Sequence, residues 1–159
     1  MKHLFFLMAF SMIGWSHELQ IKVDLNPAGA FTAKSSDLKI VGELKKTPVG
    51  FAAKKILLSV ASLKTGIDLR DNHMKKKYFE VEKFPVATLI EGGGQGGKFQ
   101  GKLEVHGVIH PIAGTYQLNG PDLEAEFPCK LSDFKIPEAN YMGVGVEDEV
   151  KVVVKLRIP

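Results

Sequence analysis

The chain has 159 residues, 45% of them hydrophobic and 25% charged, with 21 Lys and Arg against 18 Asp and Glu and a formal net charge of +3. That length suits one domain with a sizeable core, and a near-balanced charge spread along polar positions predicts no nucleic-acid partner. Cys129 is the single cysteine, which excludes an intramolecular disulfide; between Pro128 and Lys130 it suits a small buried filler better than a nucleophile.

Met1-Lys2-His3, an apolar run from Leu4 to Ile13, and Gly14-Trp15-Ser16 read as a secretory signal peptide cleaved after Ser16. The apolar run falls short of the roughly 20 residues that span a bilayer. Cleavage removes Lys2, so 21 basic residues become 20 against 18 acidic ones. The expected product is an exported domain over residues 17–159.

Almost every later segment alternates with the period of two that marks half-buried strands. Leu19, Ile21, Val23 and Leu25 share a face before Asn26-Pro27-Ala28-Gly29 turns the chain. Phe31 and Ala33 follow, then a turn over residues 34–37, then Leu38, Ile40, Gly42 and Leu44 on one face. Ile56, Leu58 and Val60 come next, with Leu57, Ala61 and Leu63 making the opposite face apolar too. The stretch from Thr65 to Phe84 breaks the period. It predicts one short helical segment near residues 68–78, with Asp68 as N-cap and Met74, Tyr78 and Phe79 packing on the sheet.

Residues 92–98, GGGQGGK, match the spacing of a phosphate-binding loop. Such a loop joins a strand to a helix and places a Ser or Thr after its Lys to reach magnesium. Phe99 follows Lys98, and alternating runs stand on both sides, so the glycines are expected to connect a hairpin. The later strands carry Ala87 and Leu89; Gly101, Leu103 and Val105; Ile112, Gly114, Tyr116 and Leu118; Leu123, Ala125, Phe127 and Cys129; and a final run from Val146 to Ile158. No βαβ rhythm occurs. The pattern predicts an all-β fold, an antiparallel barrel of about eight strands with the one helical segment, or failing that a sandwich. Small residues at inward positions (Ala33, Gly42, Ala87, Gly101, Gly107, Gly114, Ala125) among large ones predict an apolar cavity.

Thr65, Arg70, Asp71 and His73 form the densest polar group. A catalytic reading makes His73 a base oriented by Asp71, with Arg70 holding an anion. Helical neighbours point in different directions, which favours the alternative: Arg70 and Asp71 tie the helical loop to the barrel rim and Thr65 caps the strand end. Arg70 or Lys75 to Lys77 would also suit a diphosphate or a membrane headgroup. His106 and His110 oppose Leu103 and Val105 in parity, so both are expected on the surface, with Pro111 ending the strand; they lack the ligand number of a metal site.

The stretch SLKTGIDLRDNHMKKKYFEVEKFPVATL, residues 62–89, resembles the signature of the YceI-like proteins. There a strand ends in Ser-x-x-Thr-Gly, an Arg-Asp-x-His-Met/Leu helical segment follows, and an aromatic-Pro pair opens the next strand. Gly101 to Pro111 resembles the family's G-x-L-T-I-H-G-V-T-K-P strand and turn. Ser132-Asp133-Phe134, followed by Gly145 to Val150, resembles its S-D-F-G and V-G-D-E-V pieces. The resemblance spans residues 56–158. Three departures stand out: Phe31-Thr32-Ala33-Lys34-Ser35 lacks the family's N-terminal His, Ile109-His110 replaces Thr-Lys, and Lys135 stands where Gly is frequent.

What the resemblance implies is a lipocalin-like periplasmic barrel that binds a polyisoprenoid chain, of prenyl phosphate or isoprenoid quinone type, without catalysis and without a cofactor. The residues expected to line its interior are Phe31, Leu44, Ile56, Leu58, Val60, Leu89, Leu103, Val105, Tyr116, Phe127 and Phe134, with Thr65, Arg70, Asp71 and His73 as a polar rim. Transient membrane contact and a homodimer are further expectations. The alternative is a non-enzymatic interaction module whose barrel is filled by side chains and docks a membrane or redox partner.

Overall fold

The computed structural model describes residues 17–141 and 143–159, so the expected signal peptide, residues 1–16, lies outside the described residues. In chain order the strands are β1 (Glu18–Asn26), β2 (Ala30–Ser35), β3 (Leu38–Thr47), β4 (Gly50–Ser59), β5 (Val86–Gln95), β6 (Lys98–Val105), β7 (Val108–Asn119), β8 (Asp122–Lys130), β9 (Asn140–Tyr141), β10 (Val144–Val146) and β11 (Glu149–Arg157). One helix, α1 (Asp68–His73), lies between β4 and β5 and runs on as a π-helical turn over Met74–Tyr78. Among the described residues the strand segments number eleven where the sequence predicts about eight, in part because β9 and β10, two and three residues long, count separately.

All eleven belong to one sheet in the order β3-β4-β5-β6-β7-β8-β11-β1-β10-β9, with β2 also paired to β1. Every pairing is antiparallel. The sheet curls into a lipocalin-like half-barrel. Its concave face carries the core: Leu19, Ala33, Ile56, Leu58, Phe99, Phe127 and Val152 among others. Past β4, Lys34 and Lys64 exchange backbone hydrogen bonds of 2.8 and 2.9 Å, tying β2 to the segment that leads into α1.

The glycine run is a hairpin. Residues 92–95 belong to β5, and Gly96 and Gly97 turn the chain with φ of +61° and +79°. Two consecutive positive φ values make a type I′ turn, whose twist matches the strands it joins. His106 and Gly107 form a second such turn between β6 and β7, with φ of +55° and +72°.

That second turn corrects two expectations. A two-residue turn resets the parity, so His110 lies directly opposite Leu103 and shares a face with Ile112. Pro111 does not end the strand; it lies within β7, opposite Lys102. Pairing of β7 with β8 begins only at Thr115, so Pro111 sits where β7 has a neighbour on one side, the edge-like setting in which a strand tolerates proline.

Parity resets again in the middle of β4. Phe51 and Ala53 are buried, then Ile56 and Leu58 are. The switch falls at Lys54 and Lys55, where Lys55 has φ +52° and the β3 register slips between Ile40 and Glu43. Three residue steps of β3 there face two of β4, so the extra residue belongs to β3, and such a bulge sharpens the local bend, which helps curl the sheet. The 3-10 turn Val60–Ser62 then brings Leu63 to the inside, 1% exposed, and leaves Ala61 on the surface.

Candidate functional site

The concave face encloses a cavity of about 660 Å³, within the rough 300–1,000 Å³ of small-molecule sites. Its walls are almost wholly carbon. The β1 residues Leu19, Ile21, Val23 and Leu25 face it from one side and Val150, Val152, Val154 and Leu156 of β11 stand beside them. Of the apolar residues expected to line the interior, Phe31, Ile56, Leu58, Val60, Leu89, Leu103, Val105, Phe127 and Phe134 do so. Two do not. Leu44 is buried against the core from β3, and Tyr116 packs edge-on to Phe51 with ring centroids 4.8 Å apart.

Small residues divide into two kinds. Ala33, Ala53, Ala87 and Ala125 line the cavity and leave it space. Gly42, Gly101, Gly107 and Gly114 do not line it and instead permit close approach. A Cβ on Gly114 would stand 2.0 Å from the Glu126 carbonyl oxygen, and one on Gly101 would stand 2.7 Å from that of Glu91. The expectation that these glycines hollow the interior is therefore corrected.

A cap covers the end of the barrel where β1, β4, β6 and β8 finish. From α1 and the turn after it, Met74, Tyr78 and Phe79 line the cavity; from the 3-10 segment Leu131–Phe134 and its continuation, Leu131, Phe134 and Ile136 do. The π-helical turn closes with Phe79 N–H donating to Met74 O at 2.9 Å. Asp68 is the first helical residue, and Ile67 at the N-cap donates no side-chain cap. Asp71 supplies the anchoring instead. Its Oδ1 accepts from Thr65 N–H at 2.8 Å and from Thr65 Oγ1 at 2.6 Å. Burial alone would raise the Asp71 carboxyl, but the two Thr65 hydrogen bonds and the charges of Lys75 and Arg70 outweigh it and hold it below the usual carboxylate value.

Arg70 completes the tie. Its Nε donates to Thr65 Oγ1 and its Nη2 to Thr65 O, both at 2.8 Å. The guanidinium lies 4.1 Å from the Phe31 ring centroid, a cation-π contact that spans from α1 to β2. Arg70 and His73 line the cavity, whereas Thr65 and Asp71 do not. The polar group expected as a rim is thus in large part an anchor for the cap. Asp71 Oδ1 is committed twice to Thr65.

Three features of the site escaped the sequence reading. Ile67 and Leu69 line the cavity while 53% and 58% exposed, so they form its apolar lip; apolar residues flanking Asp68 in a polar stretch were the available sign. Cys129 also lines the wall, and its thiol is pushed up to about 12, first by burial and then by Asp133 and Asp148. It stays protonated at neutral pH. The third is His106, expected on the surface. Its side chain is 9% exposed, wedged between Phe84, Glu80 and Phe134. His110 is half-buried, its ring 5.7 Å from that of Phe134. Among the described residues no group of three His, Cys, Asp or Glu side chains could hold a metal ion, and no helix is long and apolar enough to cross a membrane.

A curled antiparallel sheet around a large apolar cavity, closed by a helical cap, defines the lipocalin-like class. Within it the chain belongs to the YceI-like family, whose sequence profile matches residues 9–158. Among solved structures it is similar to BcnA from Burkholderia cenocepacia, with 19% identity and a TM-score of 0.66 over 86% of this chain and 94% of that one. It is also similar to a polyisoprenoid binding domain from Saccharophagus degradans, with 17% identity and a TM-score of 0.62 over 90% and 94% of the two chains. A mutant CJ YCEI protein aligns with 98% of this chain and 96% of its own, at 18% identity and a TM-score of 0.62. No curated protein sequence matches significantly. Family membership supports a lipid-binding role.

Proposed function

We propose that the chain is an exported, non-catalytic carrier or store that holds one elongated isoprenoid lipid, of prenyl phosphate or isoprenoid quinone type, in the cavity. The observation that carries this reading is the cavity itself, about 660 Å³ with aliphatic and aromatic walls. A space of that character stays dry and is filled favourably by hydrocarbon. Each Å² of apolar surface taken from water contributes about 25 cal/mol, offset in part by the ordering of a flexible tail.

The likeness to a polyisoprenoid binding domain from Saccharophagus degradans supports the ligand class. The basic start and apolar run of residues 1–16 support export to the periplasm. Arg70 and His73, the basic side chains among the described lining residues, would offer a polar headgroup hydrogen-bond partners at the cap. A solid, side-chain-filled barrel docking a partner is disfavoured by the space between the walls.

Native mass spectrometry of residues 17–159, purified without detergent and followed by solvent extraction, tests the reading. The expected result is a one-to-one adduct that releases an isoprenoid. Folded protein at bare mass that takes up neither isoprenoid quinones nor prenyl phosphates overturns it.

A further inference from the structure

We propose that His106 is a proton-dependent tie between the two halves of the cap, holding the cavity shut while the His106–Glu80 pair carries a proton and loosening it when that proton leaves. The inference rests on the reading of the cavity as the ligand site and adds how access to it is controlled.

The imidazole touches one acceptor at each nitrogen. Its Nδ1 lies 3.0 Å from the backbone oxygen of Phe134 and its Nε2 lies 2.6 Å from Glu80 Oε2. A carbonyl oxygen only accepts, so Nδ1 carries hydrogen and donates to it. The contact at Nε2 then needs a second proton, either on the ring as imidazolium facing carboxylate or on Glu80 donating to the ring. The pair shares it. Without it, the nitrogen lone pair faces a carboxylate across the same short distance, and repulsion replaces the hydrogen bond.

The partners belong to the two cap segments. Glu80 directly follows Tyr78 and Phe79, and Phe134 and its neighbour Ile136 belong to the other segment; all four of these apolar residues line the cavity. The ring of Phe84 meets His106 at 4.7 Å, and Phe134 is 1% exposed. Backbone geometry marks the same place: of the four described non-glycine residues with positive φ, Glu80 and His106 form the pair and Lys135 follows Phe134. Such conformations persist where surrounding contacts over-determine them.

Charged or titratable residues on the elements packed against the ring are Glu80, Glu82 and Lys83 on the turn before β5, Glu104 on β6, His110 on β7, Asp133 on the 3-10 segment and Lys135 at its end. Glu80 is the one of these bonded to the ring. Lys83 lies over the Phe84 ring at 5.9 Å, and Asp133 Oδ2 is 3.7 Å from His110 Nε2.

Hydrogen exchange of the ligand-free protein, read by mass spectrometry across a pH series and corrected for intrinsic exchange, tests the tie. Imidazole ¹⁵N shifts in the same samples locate the proton. Protection at residues 79–84 and 131–136 is expected to fall at least tenfold as His106 Nε2 loses its proton. In Glu80→Gln the side-chain amide donates to the neutral ring, so protection persists through the same pH range; a merely structural carboxylate would predict its loss. His106→Gln is expected to exchange fast at every pH. Release of a two-unit isoprenoid quinone should quicken across the same step. Failure of that quinone to bind overturns the cavity reading alone, because exchange is measured without it. Wild-type cap protection that does not change as the ring titrates, or an unchanged step in Glu80→Gln, overturns the tie.

Discussion

At the end of the sheet turned by Gly96-Gly97, Phe51, Phe99, Tyr116 and Phe127 interlock, with Phe51 6.5 Å from Phe99 and Phe99 5.8 Å from Phe127 between ring centroids. Gly94 lies beneath them; toward the cap β4 and β5 carry Ala53 and Ala87 beside open space. Side chains from a curled sheet converge on one axis, so large residues matched with glycine fill it and alanine matched with branched residues leaves it hollow. Filled and hollow regions thus follow from which strand neighbours face each other, on one continuous ladder.

The sharpest way to break that comparison is to enlarge one small residue in each region. A Cβ on Gly94 would press on Phe51 Cε1 and Tyr116 Cε1, and both rings are buried and packed edge-on to each other. Gly94→Val is expected to cost about 3 kcal/mol and lower Tm by about 10 °C. Ala87→Leu projects into the cavity and should change stability by less than about 1 kcal/mol while shortening or abolishing the bound chain. Circular dichroism melts with lipid extraction check both. Equal losses of stability would mean the two regions are packed alike.

The period of two made the all-β fold, the helical interruption and most of the cavity wall legible, because one buried face per strand imprints itself on local sequence. What misled was non-local. Parity resets at Lys55 and the His106-Gly107 turn depend on positive φ at non-glycine residues, which alternation does not reveal. The glycines looked like space because their clashing partners, the carbonyls of Glu91 and Glu126, lie on neighbouring strands. His106 looked exposed because Glu80 and Phe134 come from 26 and 28 residues away. The tie among Thr65, Arg70 and Asp71 was legible, since all its partners lie within six residues.

That tie distinguishes the cap from the barrel beneath it: the cap is held by a few polar bonds rather than by a ladder. Asp71→Ala removes the acceptor for two Thr65 donors and is expected to cost about 2–3 kcal/mol, the usual range for hydrogen bonds to a charged group. Asp71→Asn keeps an acceptor oxygen and should cost less. Because the folded carboxyl is held below its ordinary value, its contribution is present above the unfolded value of about 3.9 and is lost as pH falls through the lower folded one. Urea melts from pH 5 downward should therefore converge for wild type and Asp71→Asn. Parallel curves at every pH would refute the assignment.

The smallest effect refines the other cap segment. Lys135 ends the Leu131–Phe134 turn with φ +55° and ψ +28°, its N–H bonded to Ser132 O at 3.1 Å. In the left-handed region a Cβ crowds the carbonyl oxygen and costs roughly 1–2 kcal/mol, whereas glycine pays no such penalty. Glycine also loses more entropy on folding, which returns about 0.4–1 kcal/mol. The strain term is the larger, so Lys135→Gly should stabilise by about 0.5–1 kcal/mol. Lys135→Ala keeps the Cβ and removes only an exposed charge, and should lie near zero. Chemical denaturation separates the two: a gain shared by both variants would place the cost in the lysine charge, and a gain confined to glycine places it in the backbone, at the residue next to the carbonyl that His106 holds.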